Sequence, residues 1–205
     1  MPGPLAGIAL VVTSFLIGSI PWGYVAGKAS GSIDLRTVGS GGTGATNVLR
    51  TLGARASVVV AVLDILKGVL PVVFATAVGF DAAWVATAAV AAVAGHCWSP
   101  FIGFKGGKGV ATGAGAAIAL FPQVLLIVPI MAVVVWTTKY VSLGSLTAAG
   151  LATLLAVGYA AAGMLDWSTA IAILAISLII TIRHEGNIRR LLNGSERRIG
   201  EMIST

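Results

Sequence analysis

The sequence predicts an all-α fold, a polytopic membrane bundle of about seven transmembrane helices. Of its 205 residues, 57% are hydrophobic and 10% are charged, whereas an ordinary soluble domain has about 25% charged residues. The apolar residues also fall in several runs that approach or exceed the ~20 residues of a spanning helix. We therefore expect a single integral-membrane domain over residues 1–205 and not two soluble domains.

The apolar runs define the expected spans. Isolated prolines and serines within them are tolerable, because neighbouring helices or water can satisfy the disturbed backbone. The run from 110 to 136 contains Pro122 and Pro129, which interrupt it, and Phe121-Pro122-Gln123 indicates a turn that divides it into two short spans. The predicted spans are residues 4–27, 56–78, 82–95, 110–121, 122–136, 143–162 and 167–182.

Charge placement predicts the orientation. With the division at Pro122, every basic polar segment lies on one face, and the other face carries Asp81 and Asp166 without Lys or Arg. Basic loops stay in the cytoplasm, so the N-terminus is expected outside and the C-terminus inside. No Lys or Arg precedes the first apolar run, so we expect it to be retained as a span. The cytoplasmic segments are then residues 28–55, 96–112, 137–145 and 183–205.

The net charge and the cysteine count exclude several classes of function. On a membrane protein, a formal charge of +6 reflects basic residues held on one side of the bilayer, so no nucleic-acid partner is expected. The single Cys97 excludes an intramolecular disulfide. One thiol and two separated histidines do not supply a zinc or iron–sulfur site. No metal and no cofactor are expected.

The most glycine- and lysine-dense run is Phe101–Thr112, Phe-Ile-Gly-Phe-Lys-Gly-Gly-Lys-Gly-Val-Ala-Thr. Glycine N–H groups, lysines and a helix beginning near Val110 suit a phosphate, and a flexible basic loop is the alternative. The phosphate loop of nucleotide hydrolases does not match, because Ile102 and Gly109 stand where Gly and Ser or Thr are required. The predicted ligand contacts are Lys105, Gly106, Gly107, Lys108 and Gly109.

A second glycine-rich segment joins Arg36 to Arg50. Its glycines at 39, 41 and 44 fit the dinucleotide pattern G-x-G-x-x-G. A true fingerprint joins a strand to a helix, whereas this one follows a membrane span. What remains is a turn with small polar groups between two arginines, which suits an anion; an ordinary connector is the alternative. The predicted contacts are Ser40, Gly41, Asn47 and Arg50.

Two further polar features lie in or beside the spans. Asp64 and Lys67 are three residues apart within the second span, where ionisable groups usually pair or face a polar cavity. We expect a structural ion pair that supports the site. His96 precedes the lysine-rich run, but Phe101 occupies the place of the Asp found in soluble glycerolipid acyltransferases. Packing is therefore favoured over catalysis for His96.

The last two cytoplasmic segments supply more candidates. Ser142 and Ser145 are candidate ligand contacts in the third turn. His184 and Asn187 are three apart beside a basic cluster, on one face if the segment is helical. They suit the orientation of a hydroxyl and the binding of an anion, and a basic helix end at the membrane surface is the alternative.

Taken together, these motifs resemble one family, the bacterial acyl-phosphate:glycerol-3-phosphate acyltransferases known as PlsY. The resemblance spans nearly the whole chain. Where the family usually has Asn after Gly-Ser-Gly, this chain has Gly42. The matching residues are Gly39–Gly41, Gly44–Asn47 and Arg50; Gly95, His96, Phe101 and Phe104–Thr112; and Arg183, His184, Asn187, Arg190, Leu191, Gly194 and Glu196.

The resemblance implies transfer of a fatty acyl group from acyl phosphate to the sn-1 hydroxyl of glycerol 3-phosphate. The products are lysophosphatidic acid and phosphate, formed on the cytoplasmic side of the bacterial inner membrane. It implies that Lys108, Arg50 and the glycine loop hold the phosphates and that Ser40 contacts the acyl phosphate. His184 and Asn187 bind or orient glycerol 3-phosphate, and the general base is His184 or a substrate phosphate oxygen.

Other possibilities stay open at this point. A covalent acyl-Ser40 intermediate is less favoured, because no Asp-supported base is identifiable. A transporter or flippase for a phosphorylated metabolite or lipid would also use broken helices and ionisable groups within the membrane. A third possibility is an acyl-CoA-dependent acyltransferase. The membrane lipid and the enzyme that supplies acyl phosphate are the expected partners.

Overall fold

The computed structural model describes residues 2–199. Over these residues the chain is helical and contains no strand, so the all-α prediction is confirmed. Met1, and residues 200–205 of the predicted C-terminal segment, lie outside the described residues. The α-helices are α1 (Pro4–Gly18), α2 (Trp22–Ala29), α3 (Ala45–Leu52), α4 (Ala54–Val78), α5 (Ala82–Cys97), α6 (Val110–Leu120), α7 (Val128–Thr138), α8 (Val141–Ala161), α9 (Trp167–Arg183) and α10 (Glu185–Leu192).

Several helices are long and apolar enough to cross a membrane. Four stretches qualify among the described residues: Pro4–Ala29, Ala54–Val78, Ala82–Ile102 and Val141–Ala161. Helices α9 and α10, bent by 62° at a short break, would together make a fifth. Shorter apolar helices fill Val110–Leu120 and Pro122–Thr138. The number of crossings and the orientation of the termini stay predictions.

The predicted helix break at Pro122 is confirmed, while two separate crossings at this place stay a prediction. Helix α6 ends at Leu120, and a short 3-10 helix from Pro122 leads into α7. Pro129 does not interrupt a helix, because it lies in the first turn of α7. Backbone N–H groups in a first turn make no intrahelical hydrogen bond, so a proline there breaks none. With 11 residues, α6 is about 16 Å long, roughly half the hydrocarbon thickness of a bilayer.

Two departures from the predicted elements concern the first polar segment and the span before it. The helix of the first span breaks before Trp22, where α1 gives way to α2, within the single candidate crossing Pro4–Ala29. Helix α3 lies inside the segment predicted as a polar turn. Its apolar face packs Val48 into a small core with Leu35 and Val60, so this amphipathic helix lies against α4 and closes one side of the polar end of the bundle.

Helices approach most closely where glycine faces a neighbouring backbone. A Cβ on Gly18 of α1 would lie 2.0 Å from the carbonyl oxygen of Ala92 in α5. A Cβ on Gly115 of α6 would lie 2.2 Å from the carbonyl oxygen of Ile65 in α4. Small residues allow such contacts between helices in a membrane, where van der Waals packing is a main driving force. The α1–α5 and α4–α6 pairs are therefore fixed by backbone contact.

The predicted ion pair lies inside α4. Nζ of Lys67 is 2.9 Å from Oδ1 of Asp64, and both side chains are nearly inaccessible, at 3% and 1% exposure. The same ammonium donates a hydrogen bond to the carbonyl oxygen of Ile20, 2.8 Å away, at the break between α1 and α2. The pair thus connects α4 to the backbone of the break, where the carbonyl oxygen of Ile20 also accepts from the N–H of Trp22.

We predict that Gly115→Ala destabilises the protein by about 2 kcal/mol, because the added methyl group must separate α6 from α4. The measurement is the thermal unfolding midpoint in detergent. Gly150→Ala in α8 is the matched control, since a Cβ there meets no atom within 4 Å, and it should leave the midpoint unchanged or raised. Equal midpoints for the two variants would contradict the close α4–α6 contact.

Candidate active site

The four predicted polar segments converge on one cavity of about 310 Å³. Asp64 of α4 and His96 of α5 also contribute to its wall. Among the predicted site residues, Gly41, Lys105 and Gly106 do not line it. Its other polar lining residues are Ser40, Thr46, Asn47, Arg50, Lys108, Ser142, Ser145, His184, Asn187, Glu196 and Arg197.

The α5–α6 loop corrects one prediction. The N–H groups of Gly106 and Gly107 are not free for a ligand, because they donate to the carbonyl oxygens of Cys97 and His96 at the end of α5, each at 3.2 Å. The guanidinium of Arg183 donates to the carbonyl oxygens of the same two glycines, at 3.1 Å each. These glycines therefore shape the loop and do not supply exposed donors.

The part of this loop that lines the cavity is its C-terminal end. Gly109 adopts a positive φ of 82° as the N-cap of α6, a conformation that favours glycine. Together with Lys108, Val110 and Ala111 it lines the cavity. The first turn of a helix has N–H groups without intrahelical partners and a partial positive charge. The sequence predicted a helix beginning near Val110, and α6 begins there and faces the cavity; its role in binding an anion stays a prediction.

The two lysines of the loop differ. Lys105 is exposed and lies outside the cavity, so its predicted role in binding is not supported. Lys108 lies in the cavity wall, where burial lowers the pKa of its ammonium to about 8; the charge of Glu196 opposes this shift, and the charges of Arg190, Arg50 and Arg183 add to it. Lys108 is therefore surrounded mainly by positive charge, an arrangement that suits an anion.

The first glycine-rich loop is braced by Asn47. Its amide nitrogen lies within hydrogen-bonding distance of the carbonyl oxygens of Leu35, Val38 and Gly42, and its oxygen accepts from the N–H of Ser40. The NH2 group of Asn47 is thus committed to the loop. Asn47 also lines the cavity, and its role as a ligand contact stays a prediction. Ser40 is held at the rim by this brace, exposed and in the cavity lining.

Arg36 and Arg50, which flank that loop, have different surroundings. Arg36 pairs with Asp34 at 2.7 Å and donates to the carbonyl oxygen of Ile102. It therefore connects two loops and does not line the cavity. Arg50 does line it, beside Lys108, whose pKa its charge helps to lower.

His184 lies between α9 and α10 and is almost fully buried. Its Nδ1 is 2.8 Å from the carbonyl oxygen of Ile180, a contact that places the proton on Nδ1 and leaves Nε2 as an acceptor. Burial lowers the pKa of His184 to about 4, with the bond to Ile180 opposing and Lys108 adding to the effect. The imidazole is therefore neutral near pH 7.

Glu196 joins the last segment to the third turn. Its carboxylate accepts hydrogen bonds from Asn187, Ser142 and Arg190. Burial favours its neutral form, but these three donors outweigh burial and hold the pKa of Glu196 below its ordinary value. The carboxylate is therefore ionised and fixes the side chains of Asn187 and Ser142. Ser145 instead donates to the carbonyl oxygen of Val141, one turn back in α8.

The residues that sequence reasoning left out are Arg183, Glu196 and Arg197. Arg183 and Glu196 belong to the family motif, but neither was assigned to the site. Arg183 donates hydrogen bonds to carbonyl oxygens more than seventy positions earlier in the chain. No local sequence pattern therefore indicates its role. Residues 2–199 contain no group of three or more His, Cys, Asp or Glu side chains placed to hold a metal ion.

Comparison with known proteins decides the family. The glycerol-3-phosphate acyltransferase family model matches residues 8–194. The chain belongs to this family. The glycerol-3-phosphate acyltransferase 1 of Deinococcus radiodurans is 43% identical over 201 residues, covering 98% of this chain and 99% of its relative. The glycerol-3-phosphate acyltransferase of Geobacter sulfurreducens is 41% identical, covering 93% of this chain and 96% of its relative.

Solved structures of a glycerol-3-phosphate acyltransferase share the fold. The chain matches PlsY (YgiH), described as an integral membrane enzyme, in its glycerol 3-phosphate form with a TM-score of 0.88 and 40% identity. The lysophosphatidic acid form matches with a TM-score of 0.86 and 38% identity. Each comparison covers 95% of this chain and 96% of the other. This family member is therefore an integral membrane acyltransferase with an all-helical fold.

We predict that the charge of Lys108 limits the alkaline side of the pH profile. Deprotonation above about pH 8 removes a cation that attracts the phosphate substrate, so kcat/KM should fall as the pH rises through that value. Lys108→Arg should extend the plateau, because a guanidinium stays protonated there. The measurement is kcat/KM for acyl transfer to glycerol 3-phosphate between about pH 6 and pH 10, at intervals of about one pH unit.

Lys105 provides the matched control. Lys105→Arg should leave the profile unchanged, and Lys105→Ala should lower activity far less than Lys108→Ala, for which we expect a loss of about 100-fold. Superimposable profiles for the wild type and Lys108→Arg would show that this ammonium does not determine the alkaline limb.

Proposed function

We propose that this protein transfers a fatty acyl group from acyl phosphate to the sn-1 hydroxyl of glycerol 3-phosphate, giving lysophosphatidic acid and phosphate. The observation that carries the proposal is a cationic polar cavity that continues into an apolar one. The second cavity, about 110 Å³, shares Val110, Ala114, Met131 and Ser145 with the first. The combined shape suits an amphiphile with an anionic head.

The polar cavity provides positive groups for the two substrate phosphates. Lys108 and Arg50 line it, and the N-terminal turn of α6 adds backbone N–H groups. A lysine, an arginine and a helix N-terminus can hold phosphate without a metal ion. We assign the head group of the acyl phosphate to this part of the wall, with Ser40 at its rim.

The apolar cavity suits the fatty chain. It lies between α6, α7, α8, α9 and the 3-10 helix before α7, and is lined mainly by alanines, valines and isoleucines, with Ser145 at the junction. Moving along α8 from Ser145 to Ala152 leads two turns away from the polar cavity. The carbonyl carbon of the donor would therefore lie near the junction, within reach of the polar groups.

The chemistry needs positioning more than a protein nucleophile. Phosphate is a good leaving group, so attack of the glycerol hydroxyl on the carbonyl carbon forms the new ester as the carbon–oxygen bond to phosphate breaks. Within the described residues, no histidine or carboxylate is hydrogen-bonded to Oγ of Ser40. An acyl-serine intermediate therefore lacks an activated nucleophile. The cations stabilise the charge that develops on the carbonyl oxygen and on the phosphate.

His184 orients the attacking hydroxyl in this proposal. Its Nε2 is an acceptor in the cavity wall, and Asn187, held by Glu196, lies one turn further on. A pKa of about 4 makes the imidazole a weak base at neutral pH. The second pKa of a phosphate is about 6, so an oxygen of a substrate phosphate is the better final acceptor of the hydroxyl proton.

We place the protein in the bacterial inner membrane as a single domain, with its cavity on the cytoplasmic side. The support is the concentration of Lys and Arg in the segments that form the cavity, because basic loops are retained in the cytoplasm. The donor is amphiphilic and the acceptor is water-soluble, so both can reach a site at that surface. A soluble enzyme that makes acyl phosphate is the expected supplier.

The test supplies the purified protein in detergent with palmitoyl phosphate and glycerol 3-phosphate, and follows phosphate release and lysophosphatidic acid. Palmitoyl-CoA replaces the acyl phosphate in a parallel reaction. We expect product from the acyl phosphate alone, and a loss of about 100-fold in His184→Ala, because the hydroxyl is no longer oriented.

Two results would contradict the proposal. Product from palmitoyl-CoA at an equal rate would overturn the choice of donor. Folded protein that gives no product with either donor would contradict the enzymatic assignment. Uptake of glycerol 3-phosphate into vesicles would then test the alternative function as a transporter.

The apolar cavity makes a separate prediction about chain length. Ala152→Leu narrows its far end, so turnover of palmitoyl phosphate should fall about tenfold relative to octanoyl phosphate. Leu154→Phe adds bulk to the outer face of the same helix, where Leu154 is 71% exposed, and should leave the ratio unchanged. The ratio of kcat/KM for the two donors is the measurement. An unchanged ratio in Ala152→Leu would show that the fatty acyl chain does not lie in this cavity.

A further inference from the structure

His96 lies at the C-terminal end of α5, between the buried ion pair of α4 and the α5–α6 loop. It is 6% exposed and contributes to the cavity wall. The proposed reaction gives His96 no role. A buried imidazole needs polar partners. Its two ring nitrogens have different neighbours, and these neighbours indicate its role.

The Nδ1 side faces Asp64. Oδ1 of Asp64 is 3.6 Å from Nδ1 of His96 and 2.9 Å from Nζ of Lys67. The contact with the Lys67 ammonium is within the range of a charge-assisted hydrogen bond, whereas the longer distance to Nδ1 of His96 makes that interaction mainly electrostatic. This negative charge favours a proton on Nδ1 and fixes the orientation of the ring. Lys67 is in turn fixed by the carbonyl oxygen of Ile20.

The Nε2 side faces Gly107. A Cβ on Gly107 would lie 2.2 Å from Nε2 and 3.0 Å from Cε1 of His96. The backbone of Gly107 therefore rests directly on the imidazole edge, while its N–H donates to the carbonyl oxygen of His96. Arg183 holds the opposite side of the same peptide through the carbonyl oxygen of Gly107.

We propose that His96 is a positioning residue for Lys108. Its imidazole, oriented by Asp64, is the surface against which Gly107 packs, and this contact sets where the next residue, Lys108, projects into the cavity. The inference rests on the proposed function in one respect, that Lys108 binds a substrate phosphate. His96 itself transfers no proton in this scheme.

The role separates binding from chemistry. Removing the ring leaves a space behind Gly107, so the peptide can move and Lys108 is no longer held at one position. His96→Ala should therefore raise KM for glycerol 3-phosphate or for the acyl phosphate by about tenfold, with kcat changed less than KM. His96→Asn keeps an amide nitrogen near Asp64 but lacks the Nε2 edge, so it should resemble His96→Ala. His96→Gln, which reaches toward Gly107, should recover part of the loss.

The decisive experiment is a double-mutant cycle between His96 and Gly107. In the wild-type background Gly107→Ala forces its methyl group against the ring, and we expect KM to rise about tenfold or more. In the His96→Ala background the ring is gone, so the same substitution should add less than about twofold. KM and kcat are measured on protein whose folded fraction is established by size-exclusion chromatography and thermal unfolding.

Gly106 is the matched control. A Cβ on Gly106 would lie 2.1 Å from the backbone carbonyl oxygen of His96, which stays in His96→Ala. Gly106→Ala should therefore have the same effect in both backgrounds. If Gly107→Ala also has the same effect in both backgrounds, the ring is not the supporting surface and the proposal is wrong. If His96→Ala lowers kcat alone and leaves both KM values unchanged, His96 acts on the chemistry and the positioning role is also wrong.

Failure of the proposed function would be recognised separately. It would appear as a wild-type protein without turnover of any acyl donor. The cycle is then measured by the rise in thermal midpoint that inorganic phosphate gives to each folded variant. The same pattern, with coupling between His96 and Gly107 and none between His96 and Gly106, would support the positioning role, and its absence would overturn it.

Discussion

The buried ion pair between Lys67 and Asp64 fixes the arrangement on which the polar end of the bundle depends. Neither charge is stable alone in apolar surroundings, so each must keep its partners. The ammonium contacts the carbonyl oxygen of Ile20 at the α1–α2 break, and the carboxylate faces His96 at the end of α5. Three chain segments far apart in sequence are therefore located relative to one another by two side chains on adjacent turns of α4.

Within residues 2–199, the site built on this frame contains acceptors, donors and cations but no activated nucleophile. Arg50, Lys108 and the start of α6 suit anions, and a neutral His184 presents an acceptor to a hydroxyl. Such a site fits a donor that is already activated. Its catalytic effect, on the proposed mechanism, comes from holding two phosphates and one hydroxyl in a fixed arrangement within a cationic cavity.

Sequence patterns predicted the helical class, the helix break at Pro122 and the meeting of the polar segments, because hydropathy, proline and charge act locally. They did not predict the direction of the Gly106 and Gly107 N–H groups, which depends on where α5 ends relative to the loop. They also missed the loop-bracing role of Asn47, since a short amide motif does not show which carbonyl groups surround it. Helix α3 was missed because glycine and small polar residues precede its amphipathic pattern.

The few residues between α5 and α6 complete the end of one helix and begin the next. Gly106 and Gly107 satisfy carbonyl groups at the end of α5, and Gly109 caps the start of α6. The loop therefore cannot rearrange without exposing unpaired backbone groups in both helices. The loss of conformational entropy that orders this loop therefore occurs during folding and does not accompany anion binding. An incoming phosphate thus meets a loop whose shape is already settled, and its interaction energy remains available for binding and for the transition state.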